Sequence, residues 1–200
     1  MKVGTDGVLL GAWVKIPEET SSILDIGTGT GLIALQLAQR SGAEIIDALE
    51  IEADAFEQAV ENFENSLWSD RLYCYHASVQ EYQNEIDEKY DLIVSNPPYF
   101  KGSSKGSKTS RSTARHNDLL NFDELLKATD ALLSQQGSCA FVIPFSDEKN
   151  FISTAASHRL FPNYITRVRG RELSPFKRSL LQLSRKASDT RIDRLTIEIE

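Results

Sequence analysis

Residues 24–31 read "LDIGTGTG". The glycines at 27, 29 and 31 follow an apolar run, "SILDI" at 22–26, and precede "LIALQLAQR" at 32–40. The run predicts a short buried strand, and the spacing after it predicts a helix. Glycines between the two permit positive φ and let a ligand approach the backbone closely. Strand, glycine turn and helix in that order open an α/β unit with a parallel sheet. The dinucleotide fingerprint G-x-G-x-x-G places its third glycine inside the helix. Position 32 is Leu, which disfavours a dehydrogenase.

The same alternation runs outward along the chain. Residues 45–49 form a second strand, after which Phe56, Val60, Phe63 and Leu67 recur at helical spacing. Residues 72–75 and 90–95 are the third and fourth strands. Phe122, Leu125, Leu126, Thr129, Leu132 and Leu133 predict an amphipathic helix, with Gly137 placed to end it. Residues 138–143 read as a fifth strand and 147–158 as a helix. Three β-like runs, at 163–169, 179–184 and 194–199, close the chain without helices between them. The expectation is one α/β domain over residues 1–200, its sheet mostly parallel, covered on both faces and carrying an antiparallel hairpin at one edge.

Glu50 ends the second strand about twenty residues past the glycines, where a carboxylate accepts hydrogen bonds from a ribose diol. "LDIGTGTG" with Asp25 and Glu50 resembles the class I S-adenosylmethionine-dependent methyltransferases over the whole chain. The resemblance implies a Rossmann-like, seven-stranded sheet with a reversed final strand. It implies that Asp25 and the backbone at Gly27, Gly29 and Gly31 hold the methionine part of S-adenosyl-L-methionine, and that Glu50 holds its ribose. Ser78, in "HASVQEY" at 76–82, stands roughly where many members carry an acid against the adenine.

The fourth strand runs into "SNPPYF" at 95–100. Prolines at 97 and 98 carry no backbone N–H, so the turn offers acceptors without competing donors. The Asn96 side-chain oxygen and the Pro97 carbonyl can accept from the two N–H groups of a planar amine, drawing its nitrogen towards tetrahedral geometry. Tyr99 can stack on the attached ring. Catalysis by Asn96, Pro97 and Tyr99 is then mostly orientation and stabilisation of charge developing on nitrogen, with Asn96 also beside the cofactor. The motif resembles that of amino-methyltransferases acting on adenine N6, guanine N2 or glutamine, and by itself does not choose among them.

Composition narrows the partner. The chain of 200 residues is 40% hydrophobic with net charge −7, which argues against nucleic-acid binding over the whole surface. Yet residues 1–100 hold 5 Lys+Arg against 18 Asp+Glu, whereas residues 101–200 hold 17 against 11. The stretch 101–117 carries Lys101, Lys105, Lys108, Arg111 and Arg115 and no acid, as suits phosphate positioning beside the catalytic turn. Arg167, Arg169, Arg171, Lys177, Arg178, Arg185 and Lys186 extend the basic character. No apolar run reaches the length of a membrane span. Cys74 and Cys139 lack metal or disulfide spacing and read as reduced thiols of a cytoplasmic protein. His76 and His158 read as structural or surface residues.

"MKVGTDGVLLGAW" (1–13), "NPPYF" (96–100), "ARHNDLLNFDELL" (114–126) and "FVIPF" (141–145) together resemble the bacterial tRNA(Val) adenine-37 N6-methyltransferases. That resemblance implies an anticodon-loop adenine of tRNA as substrate; the chain is expected to act as a monomer, without metal or membrane. It places Pro98 with Asn96, Pro97 and Tyr99 at the base, Arg115 and His116 at the loop or the tRNA, and Thr5 and Asp6 over the cofactor. It also implies short family extensions at both ends. The alternatives are a glutamine methyltransferase acting on a protein such as a release factor, an rRNA guanine-N2 methyltransferase, or a binding module without catalysis. Members of the first normally carry a helical domain before the glycine loop, and about twenty residues precede it here.

Overall fold

A computed structural model describes residues 4–98 and 121–198. Strands β1 (Ser22–Ile26), β2 (Ile45–Glu50), β3 (Leu72–His76), β4 (Tyr90–Ser95), β5 (Leu133–Pro144), β6 (Phe161–Arg169), β7 (Arg178–Ser184) and β8 (Arg191–Thr196) form one sheet. Their order is β3-β2-β1-β4-β5-β7-β6-β8. The central strands are buried on both faces, which is why they read as largely apolar runs. Successive residues serve opposite cores. Leu24, Ile93 and Phe141 pack with α4 (Val79–Glu85), α5 (Phe122–Leu132) and α6 (Glu148–Ser157). Their neighbours Ile23, Leu92 and Val142 pack with α1 (Thr5–Trp13), α2 (Leu32–Arg40) and α3 (Ala53–Glu64).

The sheet departs from expectation in three places. It has eight strands rather than seven. The antiparallel member is not an edge: β7 lies between β5 and β6, antiparallel to both, and the edge is β8, parallel to β6. Gly137 does not end a helix. α5 stops at Leu132 and β5 begins at once, with Gly137 at a register shift against β4. A Cβ there would sit 2.9 Å from the Tyr90 carbonyl oxygen, so glycine serves close backbone approach in a bulged strand. Leu67 lies beyond α3 and is 91% exposed.

Two helices were not read from the sequence. α4 is announced by Ser78 and Glu81, which form a reciprocal capping box; Asn121 and Glu124 do the same for α5. α1 has weak amphipathic character and is held by tertiary contacts. Gly7 packs on Leu32 and Ile33. The Arg40 guanidinium donates to the Gly11 and Val14 carbonyls, and Arg178 of β7 pairs with Asp6 at 2.7 Å. Strand order reverses between β1 and β4, and the crevice at their carboxyl ends is where such sheets bind ligands.

Candidate active site

The glycine turn is fixed from two sides. The N–H groups of Gly27 and Thr28 both donate to the Leu49 carbonyl at 2.9 Å, and Gly31 donates to Thr28 at 3.1 Å. Gly27, Gly29 and Gly31 have φ of 72°, 61° and 81°, a region that strains other residues. Beneath the turn, Asp25 is wholly buried. Its Oδ2 accepts from the Thr28 hydroxyl at 2.6 Å and the Ala34 N–H at 3.3 Å. Burial outweighs these bonds and, helped by the nearby Glu50 charge, pushes the Asp25 carboxyl up to about 7. Its Oδ1 is buried with no partner among the described residues.

Above the turn opens a cleft of about 410 Å³. Its floor is Gly27 to Thr30, and Glu50 closes one side. Ala77, Ser78 and Val79 form a wall, Ser95 to Pro98 stand opposite, and Gly4, just before α1, and Gly7 within it lie over it. Glu50 Oε2 accepts from the Gly29 N–H at 2.8 Å, and Oε1 accepts from the Ile51 and Glu52 N–H groups at 2.9 Å. A carboxylate has about four acceptor sites. Glu50 thus retains one for a diol, and taking both hydroxyls requires it to release one of these three N–H groups. The Ser78 hydroxyl faces the cleft wall while engaged with Glu81.

The Asn96-Pro97-Pro98 turn sits against the glycine turn because Ser95, 1% exposed, donates to the Ile26 carbonyl at 2.7 Å. That bond joins the ends of β4 and β1 directly beside the cleft. Asn96 is half-buried, Pro97 buried and Pro98 exposed, and all three line the cleft. Tyr99, Lys101, Lys105, Lys108, Arg111, Arg115 and His116 lie outside the described residues.

Gly27, Gly29, Glu50, Ser78, Asn96, Pro97 and Pro98 therefore converge on one crevice, whereas Asp25 and Gly31 do not line it. Asp25 supports the turn from below. Gly31 faces the Phe63 ring, into which a Cβ would drive. A Cβ on Gly27 would meet no protein atom within 4 Å, so the cradle at that position is open to a ligand. The open Gly27 backbone, the acceptor on Glu50 and the apolar walls at Leu49, Ile51 and Val79 fit the amino-acid, ribose and adenine parts of S-adenosylmethionine. Sequence reasoning assigned Thr5 and Asp6 to this place; the helix brings its glycines instead, and Asp6 turns to Arg178. The spacing of Gly7 and Gly11 is the available cue, since two glycines four residues apart mark one close-packing side of a short helix.

His76 stacks on Phe56 at 5.1 Å and contacts the Ile51 carbonyl, and His158 contacts Asp123 at 2.8 Å. Cys139 is buried and Cys74 half-buried, both free, and burial raises both thiols, Cys74 to about 12. Among the described residues, no group of three side chains could hold a metal and no helix is long and apolar enough to cross a membrane.

Residues 7–150 match the sequence profile of the methyltransferase small domain. A tRNA1(Val) (adenine(37)-N6)-methyltransferase of Christiangramia forsetii is 56% identical over 201 residues, covering 100% of this chain and 84% of that protein. One of the same description from Flavobacterium johnsoniae is 53% identical, covering 100% and 86%. Among solved structures, a protein of Agrobacterium tumefaciens described as a predicted O-methyltransferase superposes with TM-score 0.73 at 22% identity, covering 95% of this chain and 85% of that one. This last likeness bears on fold alone.

Proposed function

Because this chain belongs to the methyltransferase small domain family, we infer that it transfers a methyl group from S-adenosylmethionine to N6 of adenine 37 in tRNA1(Val). The observation that carries this reading is the contact of the Asn96-Pro97-Pro98 turn with the same crevice as the glycine turn and Glu50. The profile match supports a methyltransferase, the donor-free turn fits an amino nitrogen as acceptor, and relatives above 50% identity are named for one particular adenine.

S-adenosylmethionine, when bound, supplies an electrophilic methyl group on a sulfonium. The chain's own residues prepare the acceptor. The exocyclic amine of adenine is conjugated with its ring and is a weak nucleophile. The Asn96 Oδ1 and the Pro97 carbonyl accept its two N–H bonds, and the lone pair then points across the crevice. Positive charge growing on nitrogen is stabilised by the same two oxygens. No base is needed before transfer, because the amine proton becomes acidic only afterwards and can then pass to water. Tyr99 stacks on the base, and Lys101, Lys105, Lys108, Arg111, Arg115 and His116 position the RNA backbone. A target base must leave its stack to enter, which costs least in a loop.

The test is methylation of total tRNA, ribosomal RNA and a release factor with labelled S-adenosylmethionine, followed by nucleoside and amino-acid analysis. Label in N6-methyladenosine, lost when position 37 of a tRNA1(Val) transcript is changed to guanine, is the expected result. Label in methylglutamine or methylguanosine would overturn it.

A further inference from the structure

The far half of the sheet ends in a feature that the methyl-transfer chemistry does not use. β5, β6 and β8 run in the same direction, so the chain segments at their carboxyl ends, 145–147, 170–177 and 197–198, emerge on the side of the cleft. Ser95 pairs with Phe141. Asn96 is thus level with Val142, and Phe145 stands three residues beyond, roughly 10 Å further out at a strand's rise. The Phe145 and Phe176 rings lie 5.5 Å apart. Arg169 and Arg194 hold their guanidinium carbons 5.8 Å and 6.0 Å from the Phe176 ring. Among the described residues, no carboxylate pairs with Arg194 or Lys177.

This surface is preformed. Ser174 closes a tight turn with Arg171, each donating to the other's oxygen at 2.8–3.0 Å. The Phe145 N–H donates to the Lys177 carbonyl and the Lys177 N–H to Val168. At the tip, Leu173 is 100% exposed. A wholly exposed leucine, beside an aromatic ring flanked by guanidinium groups, has the make-up of a surface that stacks bases and tracks phosphates. Glu148 neutralises Arg167 through a bidentate pair, so Arg167 braces the surface from below.

We propose that residues 170–177, with Phe145 and Arg194, form a stacking platform for unpaired nucleotides of the RNA whose base enters the cleft. Phe176 takes a flanking base, Leu173 wedges against the next, and Arg194 and Lys177 meet phosphates. The proposal rests on the adenine-37 reading for its substrate and adds where the neighbouring nucleotides lie.

The experiment measures two quantities on the full chain: the Kd for a fluorescent tRNA1(Val) anticodon stem-loop, and KM and kcat for methylation of tRNA1(Val). Phe176→Ala is expected to raise both Kd and KM about tenfold, with kcat at saturating tRNA and the affinity for S-adenosylmethionine unchanged. Phe176→Trp restores binding, as stacking requires and mere packing does not. Leu173→Ser and Arg194→Ala alter exposed side chains that the fold does not need, and each is expected to raise Kd at least threefold. An unchanged Kd in Leu173→Ser and Arg194→Ala overturns the platform, as does a wild-type chain that does not bind the stem-loop. A wild type that binds the stem-loop but does not methylate tRNA1(Val) sinks the adenine-37 reading and leaves the platform standing.

Discussion

Below pH 7 the carboxyl of Asp25 keeps its proton in the folded chain, because burial costs the carboxylate more than its two hydrogen bonds return. The unfolded chain ionises it near 3.8. The folded state therefore holds the extra proton between those values, and Asp25's contribution to stability falls as pH rises through that window, by up to about 1.4 kcal/mol per unit. Asp25→Asn removes this slope. Urea unfolding from pH 5 to 8 is expected to show the wild type losing ground to the variant until about pH 7, then a constant gap; a constant gap throughout would show that Asp25 ionises normally. Asn96 carries the complementary expectation in catalysis. Asn96→Ala removes one of the two acceptors proposed for the amine and should lower kcat by about a hundredfold or more, while calorimetry is expected to find S-adenosylmethionine affinity nearly unchanged. Full turnover in that variant would refute the clamp.

Within the glycine turn, three residues of one motif do different work. Gly31 is spent on packing: alanine there meets the Phe63 ring and also strains a positive φ. Gly31→Ala should cost about 2–4 kcal/mol of unfolding free energy. Gly27→Ala meets no atom, so only backbone strain of about 1–2 kcal/mol applies, but its methyl enters the cradle. The expected outcome is a division. Gly31→Ala lowers the urea midpoint more, and Gly27→Ala lowers S-adenosylmethionine affinity more by titration calorimetry. Equal effects on both measurements would mean that the two glycines share one role.

Across the whole molecule, charge divides with the sheet. Residues 1–100 supply β1 to β4 with a strong excess of acid, and residues 101–200 supply β5 to β8 with an excess of base. The crevice is lined by residues of the acidic half, and its Ser95–Pro98 wall continues from β4, the strand that pairs with β5, so an anionic RNA is steered towards the β5–β8 side while the acidic half repels it. Replacing Lys105, Lys108 and Arg111 by alanine should weaken tRNA binding and reduce the slope of log Kd against log salt by about 2–3. An unaltered slope would show that these side chains meet no phosphate.

What the sequence by itself determined was chemistry carried by neighbours in the chain. "LDIGTGTG", Glu50 and "NPPY" were legible because a strand end, a positive-φ turn and a donor-free corner are local properties, and the buried strands carry short apolar runs such as "LIV" at 92–94 and "CAFVIP" at 139–144. The tertiary structure alone decided how that chemistry is shared out. Asp25 and Gly31 belong to the same motif as Gly27 yet lie away from the crevice, since α2, α3 and β4 pack around them. Ser78 lines the crevice, and only the formation of α4 shows that its hydroxyl is also the cap engaged with Glu81. α1 reaches the cleft through contacts with α2 and β7, residues far from it in sequence. Phe145, Phe176 and Arg194 meet only because β7 inserts antiparallel beside β5 and β8 pairs with β6. Side-chain periodicity reports which residues are buried; which strand lies next to which is settled by long-range hydrogen bonding, on which periodicity is silent.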